Sequence, residues 1–161
     1  MNPEIEPGYE RIMERCRTLA DSSELVAFEE IGPSGEGRSI PKLTIGDPSR
    51  DLPLMMIAGG THGSEEVGRS VAMSFAEWLA AGGSDNVGAM SFVVIPCVNP
   101  DGSIRNTYHN AADQNIYTSY GFRRESTTPE GRAVETVARE LLPDCLVDCH
   151  GLAGEIGRAH V

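Results

Sequence analysis

Three short, almost wholly apolar runs constrain this chain most: Leu54-Met55-Met56-Ile57-Ala58, Ser91 to Val98, and Asp144 to Cys149. Unbroken apolar runs of this length suit strands buried on both faces, as in parallel or mixed sheets. Residues 64–81 between the first two carry helical spacing, and Pro129 opens a second helical segment to about Leu142. Strand–helix–strand–helix–strand predicts an α/β fold with a mixed, largely buried central sheet and flanking helices. Ahead of it, Tyr9, Ile12, Met13, Cys16, Leu19 and Ala20 recur at helical spacing. Leu25 to Ile31 and Ser39 to Ile45 flank the turn-rich Gly32 to Gly37 and read as a hairpin. Pro41 should push the second of these strands toward a sheet edge. Asn99-Pro100-Asp101-Gly102 reads as a turn. Ser103 to Thr128 is polar and aperiodic, a long loop of the kind that usually serves function.

Charge removes two classes of partner. The chain carries a net charge of −11 over 161 residues, which repels phosphate backbones and anionic lipid, so neither nucleic acid nor a membrane surface is expected. No apolar run approaches the eighteen or so residues of a membrane span. The acidic opening Met1-Asn2-Pro3-Glu4 lacks the apolar stretch of a secretory signal, so a cytoplasmic protein is expected. Nothing in the sequence fixes an oligomeric state. Cys16, Cys97, Cys145 and Cys149 form no C-x-x-C pair, and three of them sit in apolar runs. Reduced, buried thiols are expected rather than a zinc knuckle or a redox motif.

The chemistry-bearing residues gather at strand ends. His62 and Glu65 lie three apart where the first apolar run hands over to a helix, at the carboxyl end of the sheet, where open α/β sheets place ligands. His150 ends the third run. Two imidazoles and a carboxylate are one of the standard ligand sets of catalytic Zn²⁺, with the fourth position left to water. Asp148 is two residues before His150 and shares its face if the strand continues, so it could accept the second imidazole N–H and fix the tautomer. A solvated strand-end charge is the alternative for Asp148. Gly59-Gly60-Thr61-His62-Gly63 fits neither G-x-G-x-x-G nor the phosphate loop with its lysine.

Several segments, in order, resemble the zinc carboxypeptidases related to carboxypeptidase A. Ser34-Gly35-Glu36-Gly37-Arg38 is similar to the family's S-x-E-G-R. Gly59-Gly60-Thr61-His62-Gly63-Ser64-Glu65 is similar to its G-G-x-H-G-x-E, and Asn99-Pro100-Asp101-Gly102 to its N-P-D-G. Pro129-Glu130 with Ala133 resembles P-E-x-x-A, and Asp148-x-His150 the segment of the third ligand. The resemblance covers about residues 31–151. It implies a zinc-carboxypeptidase-like fold, Zn²⁺ held by His62, Glu65 and His150, and hydrolysis of a peptide.

In that mechanism the metal polarises the carbonyl and acidifies a water, and a glutamate moves the proton to the leaving amine. That general-base glutamate lies on a later strand in the family, so this chain should hold metal without turning over. Glu155 to Val161 read as a non-native tail of the kind a sequencing adapter encodes. Residues 1–154 are then a partial catalytic domain with its C-terminal strands missing.

The departures concern substrate binding. The family's R-x-x-R-x-N-A and D-L-N-R segments grip the substrate's terminal carboxylate through arginines and an asparagine. Here Arg105 matches the first arginine and Asn110-Ala111 the N-A pair. Tyr108 stands for the second arginine, and within Asn115-Ile116-Tyr117-Thr118 the last two stand for the Asn-Arg pair. Arg105, Arg123 or Arg124 could substitute in the grip, or be plain loop arginines. Two alternatives stay open: an N-acyl amino acid amidohydrolase of the aspartoacylase or succinylglutamate desuccinylase kind, and a non-catalytic binding domain on the same fold.

Overall fold

The computed structural model describes residues 8–48, 51–82, 88–121 and 125–151. The elements run α1 (Tyr9–Ser22), β1 (Val26–Pro33), β2 (Ser39–Ile45), β3 (Leu54–Gly59), α2 (Glu66–Ala80), β4 (Ser91–Ile95), α3 (Pro100–Arg105), α4 (Ile116–Ser119), α5 (Pro129–Leu141) and β5 (Cys145–Cys149). The five strands form one mixed sheet in the order β1-β2-β4-β3-β5. The β1–β2 and β2–β4 pairs are antiparallel, while β4, β3 and β5 run parallel. The α/β reading of the sequence is correct.

Alternation along the inner strands sends side chains to two cores, because successive residues of a strand face opposite ways. Ile57, Phe92 and Val94 meet Ile12, Met13 and Cys16 of α1 and Ala72, Met73, Ala76 and Leu79 of α2. Met56, Ala58, Val93 and Ile95 meet Ala133, Val134 and Val137 of α5 on the other face. Each inner strand is therefore apolar on both sides, which is why these runs are unbroken. Side-chain caps start two helices: Asn99 accepts from the Gly102 amide at α3, and Thr128 from the Gly131 amide at α5, each followed by Pro at the first position.

Five expectations need correction. Pro41 does not mark a sheet edge, since β2 lies between β1 and β4. Its partner on β1 is Glu30, whereas the β2–β4 ladder covers only Leu43 to Ile45, so the missing N–H falls where β4 has no claim on it. The third apolar run is not buried. Among the described residues β5 has a strand only on its β3 side, and Leu146 and Val147 are 51% and 38% exposed. Cys145 is therefore exposed and Cys149 half-buried, whereas burial pushes the Cys16 and Cys97 thiols up to about 12.

The Asn99–Gly102 turn is the start of α3. The long loop after it is interrupted by α4, whose Ile116 is fully buried in the α5-side core. No helix among the described residues is long and apolar enough to cross a membrane.

Parallel register places the site. Ala58 pairs with Asp148 and Gly59 with Cys149, so β3 and β5 end side by side at their carboxyl ends. The chain leaving β3 reaches His62 three residues later, and the chain leaving β5 reaches His150 at once. Glycines let the surrounding backbones close in. A Cβ at Gly68 would run into the Cys149 carbonyl oxygen, and one at Gly63 into the backbone of Gly102.

Candidate metal centre

His62 and Glu65 sit on the short connection into α2, not within it. Glu65 is the N-cap, with a non-helical backbone, and its amide bonds back to the His62 carbonyl at 3.1 Å. The two side chains are 4% and 7% exposed. His150 reaches them from β5. Its Nδ1 lies 3.1 Å from His62 Nδ1 and 2.9 Å from Glu65 Oε2, and His62 Nδ1 lies 3.1 Å from Glu65 Oε1. The Gly151 amide donates to Glu65 Oε2 at 3.0 Å. Glu65 is thus pinned from both strands.

The far nitrogens decide which atoms are free. His62 Nε2 faces Asn115 Oδ1 at 3.2 Å, and His150 Nε2 faces Asp148 Oδ2 at 3.1 Å. Both partners are acceptors, so a ring with its proton on Nε2 satisfies them and leaves Nδ1 a lone pair to offer a metal. Asp148 is itself oriented by the Thr61 hydroxyl, which donates to Oδ1 at 2.9 Å. In that tautomer two bare nitrogens and a carboxylate face one another about 3 Å apart. Acceptors so arranged repel unless a cation sits among them. A tetrahedral Zn²⁺ with N and O donors sets its ligand atoms roughly 3.4 Å apart, within a few tenths of an ångström of the observed triangle. The donor set fits the ion.

The electrostatics agree. Burial by itself lowers the His150 pKa, but the Asp148 carboxylate and the bond to Glu65 overcome it and raise the pKa above the ordinary histidine value. The two carboxylates favour positive charge on or beside this imidazole.

Two tyrosines flank the cluster. The Tyr108 ring lies flat on His62, with centroids 3.7 Å apart and planes at 15°. Tyr117 stands edge-on to His150 at 5.5 Å and 87°, and 6.3 Å from His62. Of the residues singled out in the sequence, His62, Glu65, His150 and Asp148 come together. Arg105 does not join them: on the last turn of α3, its guanidinium is ion-paired with Glu36. Arg123, Arg124 and the Glu155–Val161 tail lie outside the described residues.

Asn115 and Thr61 join the cluster without having stood out in the sequence. Thr61 carries no signal there beyond lying in the loop. Asn115 stands first in the segment similar to D-L-N-R, the one place that draws attention to it.

The remaining motifs build the frame. Asp101, fully buried, accepts from Ser34 Oγ at 2.8 Å, the Glu36 amide at 3.0 Å and the Arg38 guanidinium at 2.7 Å. Glu130, equally buried, accepts from the Gly35 amide at 2.9 Å and Asn110 Nδ2 at 3.0 Å. The Ser34–Arg38 turn, α3, the Asn110 loop and α5 are thereby tied into one scaffold. The Gly63 amide also bonds to the Tyr108 carbonyl at 3.3 Å.

Residues 12–126 match the family model described as zinc carboxypeptidase, a span that includes His62 and Glu65 and stops short of His150. The carboxypeptidase B of Astacus astacus is 32% identical over 98 residues, covering 58% of this chain and 32% of its own length. An inactive metallocarboxypeptidase of Ajellomyces capsulatus is 33% identical over 87 residues, 48% of this chain and 14% of its own. A metallo-carboxypeptidase structure from Burkholderia cenocepacia superposes with a TM-score of 0.79 at 23% identity, over 89% of this chain and 41% of that one. At that identity the superposition shows the fold alone. The chain spans about a third of the length of the first relative.

Proposed function

The chain belongs to the zinc carboxypeptidase family, and from that premise we propose that it is the metal-holding part of a zinc-dependent, metallocarboxypeptidase-type hydrolase of peptide or amide bonds. The observation that supports this most is the convergence of His62 Nδ1, His150 Nδ1 and the Glu65 carboxylate, with both far nitrogens already committed to acceptors. These three residues would hold Zn²⁺. Once bound, the ion supplies a Lewis acid that polarises a carbonyl and acidifies water. Asp148 and Asn115 hold the imidazoles in the ligating tautomer, and the Gly151 amide fixes the carboxylate.

Hydrolysis also needs a proton carried to the leaving amine. Both carboxylates described at the cluster are committed, Glu65 to the metal position and Asp148 to His150 and Thr61. The proton carrier is therefore assigned to a residue other than these two carboxylates, and zinc uptake without turnover is the expected behaviour.

Calorimetric zinc titration, paired with assays on a peptide and on an N-acyl amino acid, tests this. Stoichiometric zinc binding with no turnover on either substrate is expected. No zinc binding removes the metal reading, and a robust metal-dependent rate removes the assignment of the proton carrier. A second reading, a binding domain without catalysis, draws support from Tyr108 and Tyr117 at the substrate-gripping positions and from the likeness to a relative named inactive. Formate, standing in for the proton-carrying carboxylate, separates the two. Slow metal-dependent cleavage of an activated anilide is expected for the hydrolase and none for a binding domain.

A further inference from the structure

The tyrosines beside the cluster do more than pack. Tyr108 stacks on His62 and Tyr117 makes a T-shaped contact with His150, yet they remain 41% and 55% exposed. Both rings are thus partly open beside the cluster, with His109 against Tyr108 at 5.5 Å. These are positions where the family resemblance expects an arginine and an asparagine that grip a terminal carboxylate, and Thr118 replaces a further arginine.

No described cation takes over that task. Arg105, which borders the same recess as Tyr108, is ion-paired with Glu36. Arg38 is bound to Glu36 and Asp101. Arg69 is buried and donates to the Gly63 carbonyl. The charges nearest the opening, Glu65 and Asp148, are negative. With the divalent ion in place their charges are offset, but a terminal carboxylate brought here still finds no forked cation among the described residues to grip it. An uncharged planar group needs no such cation and gains from the exposed parts of the two rings.

We infer that this site, on the metal-centre reading proposed above, receives the uncharged, planar end of an amide substrate between Tyr108 and Tyr117, and discriminates against a free C-terminal carboxylate. The ligand class is a peptide or acyl compound whose end is amidated or aryl-capped.

The test uses the whole chain loaded with Co²⁺, whose visible band reports ligands arriving at the cluster. The probes are N-benzoylglycyl-phenylalanine and its C-terminal amide. The amide is expected to bind about tenfold more tightly than the acid, the scale of one aromatic contact. Tyr117→Ala should lose about that factor for the amide while Co²⁺ uptake is unchanged, and the Tyr108→Arg, Thr118→Arg double variant should reverse the preference. Where the double variant fails to fold by circular dichroism, Tyr117→Ala carries the test. Equal or tighter binding of the acid by the unaltered chain, or unchanged amide binding by Tyr117→Ala, overturns the inference and leaves the metal reading standing. A chain that takes up no Co²⁺ removes both.

Discussion

Asp148 and Asn115 decide, at the scale of single residues, which nitrogen of each histidine is free. Asp148 Oδ2 stands to accept from His150 Nε2 and Asn115 Oδ1 from His62 Nε2, at 3.1 and 3.2 Å. Removing either partner leaves the imidazole free to rotate and to adopt the wrong tautomer. Asp148→Ala and Asn115→Ala should each weaken zinc affinity about 10–100-fold, read by competition with a chelating dye. Affinity unchanged in both variants would separate these contacts from metal binding. His62, Glu65, His150 and Asp148 are legible in the sequence because strand ends and two-residue spacing fix where such side chains point. Asn115 is not, because nothing local says that a residue 53 positions away will meet His62. Arg105 misleads for the same reason: its partner, Glu36, lies in a distant turn that no local pattern links to α3.

Close backbone approach governs the next scale. Gly68 on α2 faces the Cys149 carbonyl, and a Cβ there has no flexible neighbour to displace. Gly68→Ala should cost about 1–3 kcal/mol by overpacking, measured by urea denaturation, and should also reduce zinc affinity, since it drives Glu65 at the head of α2 away from β5. A variant of unchanged stability would contradict the close approach of helix and strand.

Glu130 offers a test of the frame. Glu130→Ala strands the Gly35 amide and Asn110 Nδ2 in a buried setting, at a cost of about 3 kcal/mol, read from the urea midpoint. The elements themselves are mostly readable, since β1, β2, β3, α5 and the parallel strands follow from periodicity, caps and apolar runs. Pro41 defeats the edge rule because an internal strand can carry proline beyond the reach of its second partner. The exposure of β5 escapes the sequence because an apolar run says that a strand can be covered on both sides, not that it is.

For the molecule as a whole, the two cores on either side of the sheet and the buried carboxylates Asp101 and Glu130 hold the scaffold, while three donor atoms from two strand ends repel one another in the absence of a cation. Zinc should therefore stabilise the fold. At a free concentration a hundred times its dissociation constant, the gain is about 2.7 kcal/mol. For a chain of this size that corresponds to a rise in Tm of roughly 5–10 °C, seen by scanning calorimetry and abolished in His150→Ala.

Leu146 and Val147, on opposite faces of β5, are exposed. The most direct measurement is X-ray absorption at the zinc edge of the loaded chain. The account predicts a first shell of nitrogen and oxygen near 2.0–2.1 Å containing two imidazoles, one of which disappears in His150→Ala. A sulfur shell at about 2.3 Å, drawn from Cys145 or Cys149, or a spectrum unchanged by His150→Ala, would contradict it.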